Sequence, residues 1–381
     1  MGANWSQHNA VHLQLLKAVY QDGDIVHAVV ALNLVEPLPV ADISVQVRAV
    51  EKTCWATTYS GGFGQVKQAR NLDRGGTATL MHAAVDLELP GPAGRELAPG
   101  RYQWGVVFAL PPGSPSTFEQ DWGDAGAYLS YEASVVIRSA GKHAPMLARE
   151  FFTVHQKPQE AHGAEHSEEL LLGKGGSALN PFKPHGVIAA SLKLAQAQCL
   201  PGGDIELLVA VDNRSSAAVK SIEVGLERDI MLQEEPGCVA SQHGFRELCS
   251  KHATAQGVPA NSAAERHVRV AMPAELGQQP SLSGSLISCS YSARATLKMG
   301  LFGEDLHIPL RMLAPQGADG GGSGANGAKV VAQPPAGWQP TQVFPPVALS
   351  LPGAAPLPAD ALQQGPLSMA VSSAELPAGA A

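Results

Sequence analysis

The sequence predicts an all-β chain: two tandem immunoglobulin-like β-sandwich domains followed by a disordered C-terminal tail. Three observations predict it. The first is an internal repeat. DGDIVHAVVALN over residues 22–33 returns as PGGDIELLVAVDN over 201–213, with Gly23-Asp24-Ile25 matched by Gly203-Asp204-Ile205, Val29 by Val209 and Asn33 by Asn213 at one constant offset. Val40, Ile43, Val45 and Val47 alternate, as do Val219, Ile222, Val224 and Leu226, and the strand from Tyr131 has a partner starting at Tyr291. An offset this long means two copies of a domain, not a solenoid. The second observation is strand patterning at sandwich spacing, with turn residues between β-branched runs. The third is composition. Aromatics are 5% against 40 Gly and 29 Pro, so the cores are thin and Val/Leu/Ala-filled, with many turns.

Domain boundaries follow. The first sandwich spans 8–157, a linker 158–184, the second sandwich 185–314 and the tail 315–381. In the first, Gly23 supplies the positive φ that the Asp22-Gly23-Asp24 turn needs before a strand over 25–33. A strand over 11–19 precedes it and a long one over 41–55 follows. Residues 61–76 read as a loop, then strands run over 77–89, 101–110, 128–137 and 147–155, about seven or eight in all. In the second, strands fall near 187–198, 204–212, 219–229, 267–272, 283–297 and 306–312. Residues 233–259 read as a long polar insertion. The Gly/Ala/Pro-rich tail lacks the apolar residues to bury a core, which predicts disorder.

Charge and motifs exclude several classes. A net charge of −8 argues against nucleic acid as the main partner. The glycines at 61, 62 and 64 lack the Lys-Ser/Thr of a phosphate loop, and no nucleophile elbow or Walker motif occurs, so no enzyme is predicted and no catalytic residue is assigned. Cys238, His243, Cys249 and His252 match no common zinc spacing, so no metal or other cofactor is expected. His82 and His267 fall inside strands, where partly buried structural roles are the expectation. Five cysteines, an odd and irregular set, place the chain in a reducing compartment. No apolar run follows Met1 and no run of about 18 apolar residues occurs, which predicts a cytoplasmic protein.

Three short features are candidates for contact. Gly2 after Met1, with Ser6 four residues on, fits N-myristoylation, and one acyl chain gives weak, reversible attachment to a membrane surface. Asn180-Pro181-Phe182 in the linker is a turn that presents its Phe outward, as EH-domain endocytic proteins take their ligands. Lys67, Arg70 and Arg74 in the 61–76 loop are cations placed to meet acidic or phosphorylated tails or anionic lipid heads.

Leu97-Ala98-Pro99-Gly100, the run Pro111-Pro112-Gly113-Ser114-Pro115-Ser116-Thr117-Phe118-Glu119, the strand 126–137 and Arg149-Glu150-Phe151-Phe152-Thr153-Val154 together resemble the latter half of an arrestin N-domain. Pro201-Gly202-Gly203-Asp204-Ile205, Asn213-Arg214-Ser215-Ser216 and the stretch 280–291 resemble the arrestin C-domain. The resemblance covers roughly 11–313, nearest to the arrestin-domain-containing (alpha-arrestin) group. It implies a non-enzymatic adaptor in protein trafficking and endocytosis, binding membrane-protein cargo and sorting machinery, peripheral on plasma membrane or endosomes. It also implies a cargo-phosphate role for Lys17. The alternative is a structural coat subunit similar to the arrestin-like subunit of retromer. Two departures stand out. Pro334-Pro335-Ala336-Gly337 and Pro345-Pro346-Val347-Ala348 lack the tyrosine of Pro-Pro-x-Tyr, and the stretch after Arg149 carries Thr153 and His155 where phosphate-sensing arrestins hold a switch arginine.

Overall fold

A computed structural model describes residues 8–61, 68–89, 96–140, 144–158, 163–172, 186–238, 242–250, 253–274, 276, 279–299, 302–314 and 338–363. The described chain is built of strands in two sandwiches. The first packs a sheet of β1 (Ala10–Leu15), β3 (Ile25–Leu34) and β7 (Gly100–Ala109) against one ordered β2 (Val19–Gln21), β10 (Met146–His155), β9 (Ala125–Ser139), β4 (Leu38–Gly61) and β5 (Gln68–Asp86). Short strands β6 (Glu96–Leu97) and β8 (Phe118–Asp121) pair with β4 and β9.

The second sandwich repeats this order. β12 (Gly186–Leu194), β14 (Asp204–Ser215) and β18 (Ser262–Ala271) stand where β1, β3 and β7 stand. The facing sheet runs β13 (Gln198–Cys199), β21 (Phe302–Met312), β20 (Ile287–Met299) and β15 (Val219–Gln233). A parallel pairing recurs as well: β2 lies parallel to β10 and β13 parallel to β21. The sequence repeat is therefore a repeat of topology.

The repeat's turn does structural work. Gly23 takes φ 78°. Asp22 then binds two distant segments, its carboxylate accepting from the Gly113 amide at 2.8 Å and the Lys157 amide at 2.6 Å. In the second copy the positive φ moves to Gly202. The matched tyrosines also serve one purpose. Tyr131 donates its buried hydroxyl to the Pro115 carbonyl and Tyr291 to the Gln279 carbonyl, both at 2.6 Å. Each pins the loop that leads into a core strand. In the first sandwich, Ser116 and Thr117 fasten the same loop by accepting from the Gln156 and Val154 amides.

Four expectations change. Residues 68–76 are not loop: β5 begins at Gln68, so Arg70 and Arg74 lie on a strand. The 158–184 stretch contains β11 (Ala164–Leu172), which pairs with β12 and extends the second sandwich. The polar insertion is also structured, because β16 (Gln242–Leu248) and β17 (Ala253–Val258) fold back in turn along one edge of β15. Alternation there is weak because one face of β16 is half-exposed throughout. His82 and His267 are exposed, pointing away from the cores.

One part of the tail differs too. Residues 338–363 form an ordered strap on the first sandwich, with β22 (Gln342–Val343) and β23 (Val347–Ala348) parallel to β7. Composition missed this because the strap forms no core of its own. It adds Phe344, Leu349 and Leu351 to an existing one.

The buried histidines are elsewhere. His12 on β1 is 3% exposed, and burial holds its pKa down to about 4. Burial also lowers His27 and His155. For a histidine held below its usual 6.5, the stabilisation is complete above pH 6.5 and is lost as pH falls toward 4. His12 alone accounts for up to about 3 kcal/mol of that loss. Melting of the full chain between pH 7 and 4 should show it, and His12→Gln should flatten the decline.

The joint between the sandwiches as a candidate functional site

The joint is built from an alternation that changes character halfway along β4. Ile43, Val45, Val47 and Ala49 point into the first core, and the same parity continues as Glu51, Thr53 and Trp55, all buried. Polar residues at core-facing positions require another surface to cover and satisfy them. The second sandwich supplies it.

Glu51 is fully buried. One carboxylate oxygen accepts from the Ser285 amide at 2.8 Å and the Leu286 amide at 2.7 Å, in the turn between β19 (Leu282–Ser283) and β20. Burial raises its pKa, and the two amides oppose that rise. The burial penalty therefore falls on the ionised form, acting above the folded pKa and easing as pH falls through it. The other oxygen faces Gly284, where a Cβ would stand 1.5 Å away, so only glycine admits the carboxylate. Thr53 donates to the Gln233 carbonyl at 2.7 Å and accepts from the Gly76 amide at 3.0 Å. Gly76 is equally tight, since a Cβ there would lie 2.1 Å from the Glu234 carbonyl oxygen.

Around this polar centre lies a ring of aromatics. Trp55 stacks on His243 with centroids 6.0 Å apart, and Trp122 stacks on Phe245 at 4.8 Å. His243 and Phe245 meet edge-on at 4.3 Å. Both come from β16, the polar insertion, and each inserts toward a tryptophan of the first sandwich. Arg74 closes one side on Glu234 at 3.4 Å, and Arg311 donates to the Gln156 side chain at 2.6 Å. The arrangement offers fixed donors, a buried carboxyl group and stacked rings. It holds two β-sandwiches together, and it brings no nucleophile to a base.

Of the sequence-derived candidates among the described residues, one belongs to this joint: Arg74, paired with Glu234. Lys17 is exposed in the turn between β1 and β2, where its amide donates to the Tyr20 hydroxyl. Arg70 is on β5, on a stretch whose side chains are outside the described residues. Gly2, Lys67 and Asn180-Pro181-Phe182 also lie outside the described residues. Of the zinc-like set, His243 is stacked against Trp55 and Cys249 is part-buried, its thiol pushed up to about 11 by burial, while His252 lies outside the described residues. Among the described residues no group of three His, Cys, Asp or Glu is placed to hold a metal. None of the five cysteines forms a disulfide. Among the described residues no helix is long and apolar enough to cross a membrane.

The joint residues themselves were missed. The available signal was parity: Glu51 and Thr53 fall in line with Val45 and Val47. Residues 10–160 match the family described as Arrestin (or S-antigen), N-terminal domain, which covers the first sandwich and every residue it gives to the joint. No curated protein matches the chain.

Removing the carboxylate leaves two amides without an acceptor. Glu51→Ala should destabilise the chain by about 2–4 kcal/mol. Gly284→Ala should cost a similar amount by expelling the same carboxylate. The double variant should lose clearly less than the sum, because each change removes one shared contact. Calorimetry of the three variants measures this coupling, and full additivity would separate the two residues.

Proposed function

We propose that this chain, whose residues 10–160 match the arrestin N-terminal domain, is a non-enzymatic trafficking adaptor of the arrestin kind that binds membrane-protein cargo and links it to sorting machinery in the endocytic route. The observation that carries this reading is the arrestin N-terminal domain joined to a second copy of its own topology. Two sandwiches held by a dedicated joint present broad sheet faces and end loops to partners, which suits peptide and lipid contact better than small-molecule chemistry. Two large apolar side chains on β10, Leu147 and Phe151, are exposed and available for such contact.

Membrane attachment is assigned to an acyl chain on Gly2, helped by cations. One chain binds reversibly, so Lys17, Lys67 and Arg70 supply the second, electrostatic contribution to anionic lipid heads or to phosphorylated cargo tails. Arg74 is withdrawn from this set by its pairing with Glu234. Asn180-Pro181-Phe182 is the proposed handle for EH-domain proteins. The chain then works in the cytoplasm, peripherally on plasma membrane or endosomes.

Proximity labelling with the full chain as bait, wild type beside Gly2→Ala, tests this reading. The expected outcome is labelling of membrane transporters or receptors together with endocytic proteins, lost in Gly2→Ala. A fixed set of coat subunits labelled equally by both chains would overturn cargo selection.

A further inference from the structure

Corresponding edges of the two sandwiches are protected in different ways. β18 ends the second sandwich with Glu265, Arg266, His267 and Arg269 along its length, and charges of this kind keep an open edge from pairing with other chains. β7 is its counterpart in the first sandwich. Its sequence from Tyr102 to Ala109, YQWGVVFA, has no charge at all. An edge of that kind needs a cover, and the strap is the cover.

The strap reads like a bound peptide. Its amides at Thr341, Phe344 and Leu349 donate to the carbonyls of Arg101, Gln103 and Val107 at 2.8–2.9 Å. Between the two short pairings, Pro345 and Pro346 have no amide to offer, and there the chain arches over Gly105. A Cβ at Gly105 would lie 3.3–3.5 Å from Pro346, so a bulkier residue would push the arch away. Just before the arch, the Phe344 ring lies flat on Trp104, centroids 4.8 Å apart and planes within 5°. Phe344, Leu349 and Leu351 are buried, whereas Gln342, Val343, Pro345, Ala348 and Ser350 are exposed. Backbone pairing supplies affinity and alternate side chains supply selectivity, as in peptide recognition by strand addition.

We propose that the β7 edge is a peptide-reading site for extended segments of partner proteins with the pattern Phe-x-Pro-x-x-Leu-x-Leu, and that residues 344–351 are its resident ligand. The aromatic is read by Trp104, the proline by the bare backbone of Gly105, and the leucines by the apolar cluster that buries Leu349 and Leu351. The strap follows the second sandwich through residues 315–337, so it competes as a tethered ligand. Effective concentrations for such tethers are on the order of millimolar. Few backbone bonds hold it, so a partner segment of better sequence, or one itself held nearby, exchanges with it.

The test uses the full chain with a site-specific protease sequence inserted between Gly322 and Ser323, folded first and then cut. A fluorescent peptide of residues 338–363 is titrated against cut and intact protein and followed by anisotropy. The cut protein should take up the peptide saturably, one per chain. The intact protein should bind at least about 100-fold more weakly, because its own tether competes. Unlabelled peptides that keep Phe344, Pro346, Leu349 and Leu351 but change every exposed position between them should compete fully. Peptides with Phe344→Ala or Leu349→Ala should compete about 30-fold less well or worse. A cut protein that keeps its own tail against excess peptide would overturn the proposal and make the strap a fixed part of the fold. Equal competition by a scrambled peptide would overturn it too. Neither result depends on where the protein acts in the cell.

Discussion

Every sheet must end, and how each one ends governs much of this structure. A terminal strand leaves a row of amides and carbonyls that water, another strand or a neighbouring chain will satisfy. The second sandwich covers β12 with β11 and charges β18. The first leaves β7 without charge from Tyr102 to Ala109 and brings a strap from residues 338–363 to cover it. The repeated topology explains why the two copies fold alike, and their edges explain where they diverge.

The joint obeys the same rule of satisfaction at a different place. Glu51 carries a carboxyl group into a fully buried position, which is costly unless donors await it. The amides of Ser285 and Leu286 wait there, and Gly284 leaves the room. A polar group buried this way ties geometry tightly, since a small relative shift of the sandwiches would leave both the carboxyl oxygen and the amides without partners. The stacked aromatics around it contribute area and tolerate small motions better. The polar centre therefore fixes the register between the sandwiches, and the rings add stacked contact beside it.

How legible was this in the sequence? The all-β class, the duplication and the Gly23 turn were legible, because they rest on local chemistry: β-branched alternation and a residue able to take positive φ. The arrestin resemblance was legible from the loop at Pro115-Ser116-Thr117-Phe118, whose hydroxyls and tyrosine clasp prove to be structural fastenings. The joint was not read, although Glu51 at a core-facing position carried the signal, because periodicity says that a surface is covered without saying by what. β16 and the strap escaped for a related reason. Each is ordered by a partner distant in sequence, so neither has the composition of a self-sufficient element. Aromatics offered a clue in hindsight. In a chain so poor in them, Trp55 and Trp122 sit at the joint and Trp104 under the strap, the places where separate surfaces dock.

The strap also sets an order of events during synthesis. β7 is complete long before residues 344–351 leave the ribosome. At about 5–20 residues per second, the first sandwich waits roughly 10–50 s with that edge uncovered. Throughout that interval the uncharged strand is open to any extended chain nearby, including other nascent copies. Cells making this protein therefore have reason to hold the nascent first sandwich with a chaperone until the last segment arrives. Chains terminated shortly after Ala314 would never leave that state, and aggregation would be their expected fate even though both sandwiches are present.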